Sequence, residues 1–152
     1  MANSYTKIYL HIVLCVNGRR SLISREWRDD LYKYINVTIA NKGHKLYAIG
    51  GMPDHIHLLI SMKPEQSLSS LIADIKRSST LWINSTHLKT GVFSWQRGFG
   101  AFSYAQSNVH NVANYIERQE EHHKKRNFHE EYVKLLDCFG VTYDKQYLFQ
   151  PV

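Results

Sequence analysis

Two cysteines, Cys15 and Cys138, are the only thiols among 152 residues. They lie far apart and in no metal-ligand spacing, which argues against a disulfide framework or a structural zinc cluster and for a reducing compartment. No apolar run approaches the length needed to span a bilayer. Met1 to Lys7 lacks the apolar core of a signal peptide, so the expectation is a cytoplasmic protein without a membrane partner. No internal repeat, low-complexity tract or linker divides the chain. Residues 1–152 are therefore read as one domain, with a C-terminal helical extension at about 120–152 and enough chain for one core. A hydrophobic fraction of 43% with 21% charged residues excludes a disordered or fibrous chain.

What the chain does carry is positive charge and rings. The formal net charge is +6 and the pI about 9.3, which favours a polyanionic partner such as nucleic acid. Ten tyrosines, six phenylalanines and three tryptophans supply faces on which unpaired bases can stack, although most will serve as core.

Alternation marks the strands. Ile8, Leu10, Ile12, Leu14 and Val16 share one face of a first strand, with Tyr9, His11, Val13 and Cys15 on the other. A turn with Arg19 and Arg20 follows. Ser24 is expected to cap a helix carrying Trp27, Leu31, Ile35 and Ile39, ending near Gly43. A short strand over Lys45 to Ile49 and a tight connection from Gly50 to Asp54 lead to a strand from His55 to Met62. Ser67 caps a second helix with Leu71, Ile72, Ile75 and Ile83 buried and Lys76 and Arg77 towards the opposite face. Phe93 to Tyr104 reads as a strand bent by glycines. Ser107 opens a third helix on Val109, Val112 and Ile116, and Phe128 to Phe139 forms a last one closed by Gly140. Strand, helix, strand, strand, helix, strand describes an α+β fold: a ferredoxin-like (RRM-like) antiparallel sheet with helices on one face and the other face free for a ligand.

His55-Ile56-His57 is the most informative tripeptide. On a strand, residues i and i+2 project from one side, so two imidazoles can chelate one metal ion. Ordinary half-buried histidines are the alternative reading. Asp54 can orient an imidazole or simply sit in the turn. A third ligand must come from elsewhere. Tyr115 and Gln119, four residues apart on the third helix, share a face, and a glutamine oxygen beside two imidazoles would suit Mg²⁺ or Mn²⁺. A solvated Gln119 and a packed Tyr115 remain the plain alternatives. As a nucleophile, Tyr115 needs a nearby cation, since a free phenol has a pKa of about 10.

These residues resemble the single-tyrosine HUH transposases of insertion sequences that move as single-stranded DNA, the IS200-like transposase family. The landmarks are Leu10-His11-Ile12-Val13, Gly50-Gly51-Met52-Pro53-Asp54-His55-Ile56-His57-Leu58-Leu59-Ile60, the run from Trp95 to Ser103, and Asn114-Tyr115-Ile116-Glu117-Arg118-Gln119. The resemblance covers most of the chain. It implies a ferredoxin-like fold, metal ligation by His55, His57 and Gln119, and Tyr115 as the nucleophile that forms a 5′-phosphotyrosine link and frees a 3′-hydroxyl. It also implies a homodimer, often with the tyrosine helix of one subunit serving the histidines of the other, and hairpin or single-stranded DNA as substrate in a bacterial or archaeal cytoplasm. The segment beyond Glu120 is similar to relatives of the transposases of repetitive extragenic palindromes, a departure from the shortest members that leaves open both the exchange of the tyrosine and the dimer. His122 and His123, about two turns beyond Tyr115, are expected to be solvated or phosphate-facing. Tyr104 is expected to pack in the sheet. Arg19, Arg20, Lys76, Arg77 and Arg97 are candidate DNA contacts as a group. A single-strand-binding domain without catalysis, a hydrolase using activated water and a domesticated nuclease are the alternatives, and the pairing of a histidine pair with Tyr-x-x-x-Gln sets the transposase apart from a plain binder.

Overall fold

The computed structural model describes residues 4–88, 92–122 and 127–144. The alternating segments form strands β1 (Tyr9–Cys15), β2 (Lys45–Met52), β3 (His55–Ser61) and β4 (Gly100–Tyr104). They build one antiparallel sheet in the order β2-β3-β1-β4. Helices α1 (Arg28–Asn41) and α2 (Leu68–Thr86) cross one face, giving the expected α+β, ferredoxin-like order. Their stripes, Leu31, Ile35 and Ile39 on α1 with Leu71, Ile75 and Ile83 on α2, close over Ile12 and Leu14 of β1 and Ile56, Leu58 and Ile60 of β3. Each such side chain contributes about 1.5–3 kcal/mol by leaving water, so the central strands are the most firmly held part of the sheet.

Local signals set most element ends. Ser67 caps α2 by accepting from the Ser70 N–H at 3.1 Å, and Gly43 follows α1 in the left-handed conformation at φ +86°. Ser24 does not cap α1. Its hydroxyl accepts from the Glu26 N–H at 3.1 Å in a preceding turn, and the helix starts at Arg28 without a side-chain cap. Ser107 likewise lies in a one-turn 3-10 helix (Gln106–Asn108) ahead of α3 (Val109–Glu117). The glycines expected in a connection are strand: β2 runs through Gly50 and Gly51 to Met52, leaving Pro53 and Asp54 as the link to β3. Upstream of β4, the expected long strand shrinks to a single bridge between Trp95 and Val16, because the left-handed Gly98 (φ +80°) interrupts it.

The histidine-bearing face is not free. Ile116 of α3 packs on Ala48 and Leu59, while α5 (Phe128–Cys138) sets Phe128 and Leu136 on Val13 and Phe102. The sequence already places apolar side chains on both faces of β1, β3 and β4, so both faces require cover. The third helix breaks at Arg118 (φ −105°, ψ 32°) before a short α4 (Gln119–His122). His123 and the side chain of His122 lie outside the described residues. Among the described residues, no helix is long and apolar enough to cross a membrane.

Candidate active site

β3, like β1, is flanked by strands on both sides, and its residues from His55 to Ile60 are all buried. His55 and His57 therefore point from its second face into a fully covered space, each at 0% exposure. Phe128 of α5 stacks on the His55 ring, centroids 3.9 Å apart and planes 15° off parallel. On its outer side His55 Nδ1 donates to Asp54 Oδ1 at 2.7 Å. Asp54, at the hairpin link, is thus the group that turns the ring and leaves Nε2 facing inward. Burial alone would raise the Asp54 carboxyl, but the His55 hydrogen bond and the Arg19 guanidinium outweigh it and hold the pKa below the usual carboxylate value.

His57 has a counterpart arrangement that the sequence reading did not single out. His11 of β1 lies diagonally across the strand pair, on the same face, with Nε2 2.7 Å from His57 Nδ1. His11 is fully buried, and burial together with the neighbouring His57 pushes its pKa down to about 3, so it is neutral at ordinary pH. A signal for it existed: His11 is the one polar residue of β1's second face.

The other missed residue is Glu131 on α5, only 4% exposed. Its Oε1 lies 3.0 Å from His57 Nε2 and 3.7 Å from His55 Nε2. Its Oε2 accepts the hydrogen bond of the Tyr115 hydroxyl. The available signal was an acid on the apolar stripe of an amphipathic helix, three residues after Phe128 and four before Leu135.

Tyr115 is half-buried on α3, its ring centroid 6.1 Å from that of His57. What brings α3 so close is Gly50: a Cβ there would sit 2.1 Å from the Ile116 carbonyl oxygen, so only glycine admits the helix backbone against β2. Gln119 starts α4 just past the Arg118 break, at 1% exposure. Its Oε1 lies 3.4 Å from His55 Nε2, and its Nε2 donates to the Tyr115 carbonyl at 3.4 Å. Glu120 pins this turn to the start of α1 through Arg28 at 2.7 Å and to the turn before it through Arg25 at 3.3 Å. His55, His57, Gln119 and Tyr115 thus converge, although on two short helices and not the single helical face read from spacing.

The donor set suits a divalent cation. One atom from each of His55, His57 and Glu131 lies within 4.8 Å of the others, and all three residues are buried. A carboxylate withdrawn from water is costly unless paired with positive charge, and two imidazoles with a carboxylate are a common set for divalent metals.

The basic residues scatter. Arg19 is at the site's edge, 3.5 Å from Asp54 and with its guanidinium 5.4 Å from the Phe128 ring centroid. Arg20 and Arg97 are exposed, and Arg97 lines a cavity of about 190 Å³ with Tyr132 and Gly98. Lys76 and Arg77 stand on α2, across the sheet from the histidines. Lys76 Nζ donates to the Gln96 and Gly98 carbonyls at 2.9 and 2.7 Å, and Arg77 pairs with Asp74 at 2.8 Å. Tyr104 packs between His11 and Phe139.

Residues 4–119 match the family model described as "Transposase IS200 like". The ISDra2 transposase TnpA of Deinococcus radiodurans is 25% identical over 114 residues, covering 72% of this chain and 81% of its own. Two solved structures share the fold. One, from Deinococcus radiodurans R1 and described as a candidate transposase, superposes with a TM-score of 0.62 at 21% identity, over 78% of this chain and 96% of its own. The other is a REP-associated tyrosine transposase bound to a REP hairpin, with a TM-score of 0.59 at 15% identity over 100% of this chain and 96% of its own.

Proposed function

From the premise that this chain belongs to the IS200-like transposases, we propose that it nicks and rejoins single-stranded DNA by transesterification through Tyr115, acting on hairpin ends of an insertion sequence. The observation that carries this reading is the convergence of the Tyr115 hydroxyl with the inward nitrogens of His55 and His57 in one buried pocket. The hairpin held by the REP-associated structure supports the substrate class.

In this reading His55, His57 and Gln119 would hold Mg²⁺ or Mn²⁺. Bound there, the cation would polarise the scissile phosphate and ease ionisation near it. Asp54 and His11 keep the two imidazoles turned with Nε2 inward. Tyr115 Oη attacks phosphorus, the bond from phosphorus to O3′ breaks, and the departing oxygen takes up a proton to become a 3′-hydroxyl. The phenol surrenders one proton in the same exchange, so charge and atoms balance. The 5′-phosphotyrosine retains the energy of the broken ester, and attack by a 3′-hydroxyl reverses the step without a nucleotide cofactor. Because Tyr115 reaches the pocket of its own chain, the expected homodimer would carry two sites, each complete in one subunit. Arg19 borders the pocket and is assigned a phosphate contact together with the exposed Arg20 and Arg97. Lys76 and Arg77, on the opposite sheet face, would meet only DNA that wraps past the sheet edge. A bare single-strand binder is disfavoured, because α3 and α5 cover the sheet face on which such a domain would stack bases.

Incubating end-labelled single-stranded hairpin DNA with the protein and Mg²⁺ or Mn²⁺ tests the reading. The wild type should give a cleaved strand and a protein-linked product, and His57→Ala should give neither. Cleavage by Tyr115→Phe at the wild-type rate would point to activated water as the nucleophile and sink the proposal.

A further inference from the structure

The site acquires an acid from outside the region that matches the family model. That match ends at Gln119, whereas Glu131 belongs to α5. The cap at Asn127, which accepts from the Glu130 N–H at 2.9 Å, fixes where α5 begins and therefore which side chains face the sheet. Phe128 and Leu136 bury on that side, and Glu131 is carried in between them. Helix geometry and apolar packing thus force a carboxylate into a space lined by imidazoles. Glu131 Oε1 lies 3.7 Å from His55 Nε2 and 3.0 Å from His57 Nε2, so one ligand atom from each of the three residues faces the same small space. Two imidazole nitrogens and a carboxylate oxygen so placed are a donor set for a divalent cation, which binds as their protons are released.

We propose that Glu131 is a further ligand of the site's divalent cation through Oε1, while Oε2 holds the Tyr115 hydroxyl. One side chain from the C-terminal helix then ties the nucleophile to the cation, and α5 becomes part of the active site rather than an appendage. The inference rests on the function proposed above.

The test is Mn²⁺ binding to the full chain without DNA, followed by loss of the free-ion EPR signal, in wild type, Glu131→Gln and His57→Ala. Glu131→Gln keeps the size of the side chain and removes its charge. It should weaken Mn²⁺ binding about tenfold or more, and at saturating Mn²⁺ it should still link to DNA more slowly than wild type, because the hydroxyl has lost its acceptor. Should the amide variant fail to fold, Glu131→Asp reads the same way: weaker binding supports the assignment and unchanged binding overturns it. Wild-type Mn²⁺ affinity in folded Glu131→Gln overturns it, and so does faster linkage, which would make the carboxylate a block on Tyr115. If Glu131→Gln binds like wild type while His57→Ala does not bind, the Glu131 assignment falls alone and the proposed function stands.

Discussion

Replacing Gly50 with alanine would drive a methyl group into the backbone of α3. The added carbon would sit 2.1 Å from the Ile116 carbonyl oxygen and 3.0 Å from its carbonyl carbon, and both obstacles are main chain. No rotamer relieves such a clash, so α3 must retreat from β2 by roughly 1 Å to restore van der Waals contact. Tyr115 is the residue before Ile116 and moves with it, whereas His55 and His57 stay on β3, held by pairing on both sides. Overpacking of this kind costs about 1–3 kcal/mol of stability, and a 1 Å misplacement of a reacting group costs about a hundredfold in rate. The assay is covalent linkage to hairpin single-stranded DNA, with thermal unfolding and Mn²⁺ affinity measured on the same preparation. Gly50→Ala should be folded and bind Mn²⁺, but link DNA about a hundredfold more slowly. Linkage within twofold of wild type would refute the claim that close approach of α3 to β2 positions the nucleophile.

Other outcomes follow from single contacts. Trp95 Nε1 donates to the buried Ser79 hydroxyl at 2.9 Å, so Ser79→Ala should lower the unfolding free energy in urea by about 1–3 kcal/mol, the cost of an unpaired buried donor. Burial pushes the Cys15 thiol up to about 12, while Cys138 is exposed. A maleimide at pH 8 should therefore modify Cys138 alone in the native protein and both thiols in denaturant. His11 falls from 6.5 to about 3 on folding. The unfolded chain then binds the extra proton first, so stability is full above pH 6.5 and declines as pH falls towards 3, by a few kcal/mol in chelator-treated protein. Urea midpoints across that range should show the decline, and a flatter profile in His11→Gln would assign it to this histidine.

The fold was legible where local rules decide. Period-2 alternation located β1 and β3 and told which of their faces meets α1 and α2, and the serine cap at Ser67 and the glycine at Gly43 marked helix ends. It was not legible where a partner distant in sequence decides. Gly50 and Gly51 carry turn residues' chemistry, yet they lie in β2, because α3 needs a surface without a side chain at Gly50 and the β3 backbone leaves no room for one at Gly51. Arg118 breaks a helix that periodicity runs straight through, and the Arg28–Glu120 pair secures the turned end. His55, His57, Tyr115 and Gln119 were readable from spacing and resemblance together. His11 and Glu131 were not, since one is placed by strand register and the other by a helix that returns to the sheet from the end of the chain. The expectation of an open sheet face failed for the same reason.

The central claim, that Tyr115 is the residue joined to DNA, is tested most directly by trapping the protein–DNA product with Mn²⁺ and mapping the modified peptide by mass spectrometry. The account predicts a 5′-phosphodeoxynucleotide in the tryptic peptide Gly98–Arg118, localised by fragmentation to Tyr115. A nucleotide on Tyr104, on another residue, or on no residue while the strand is cut would contradict it.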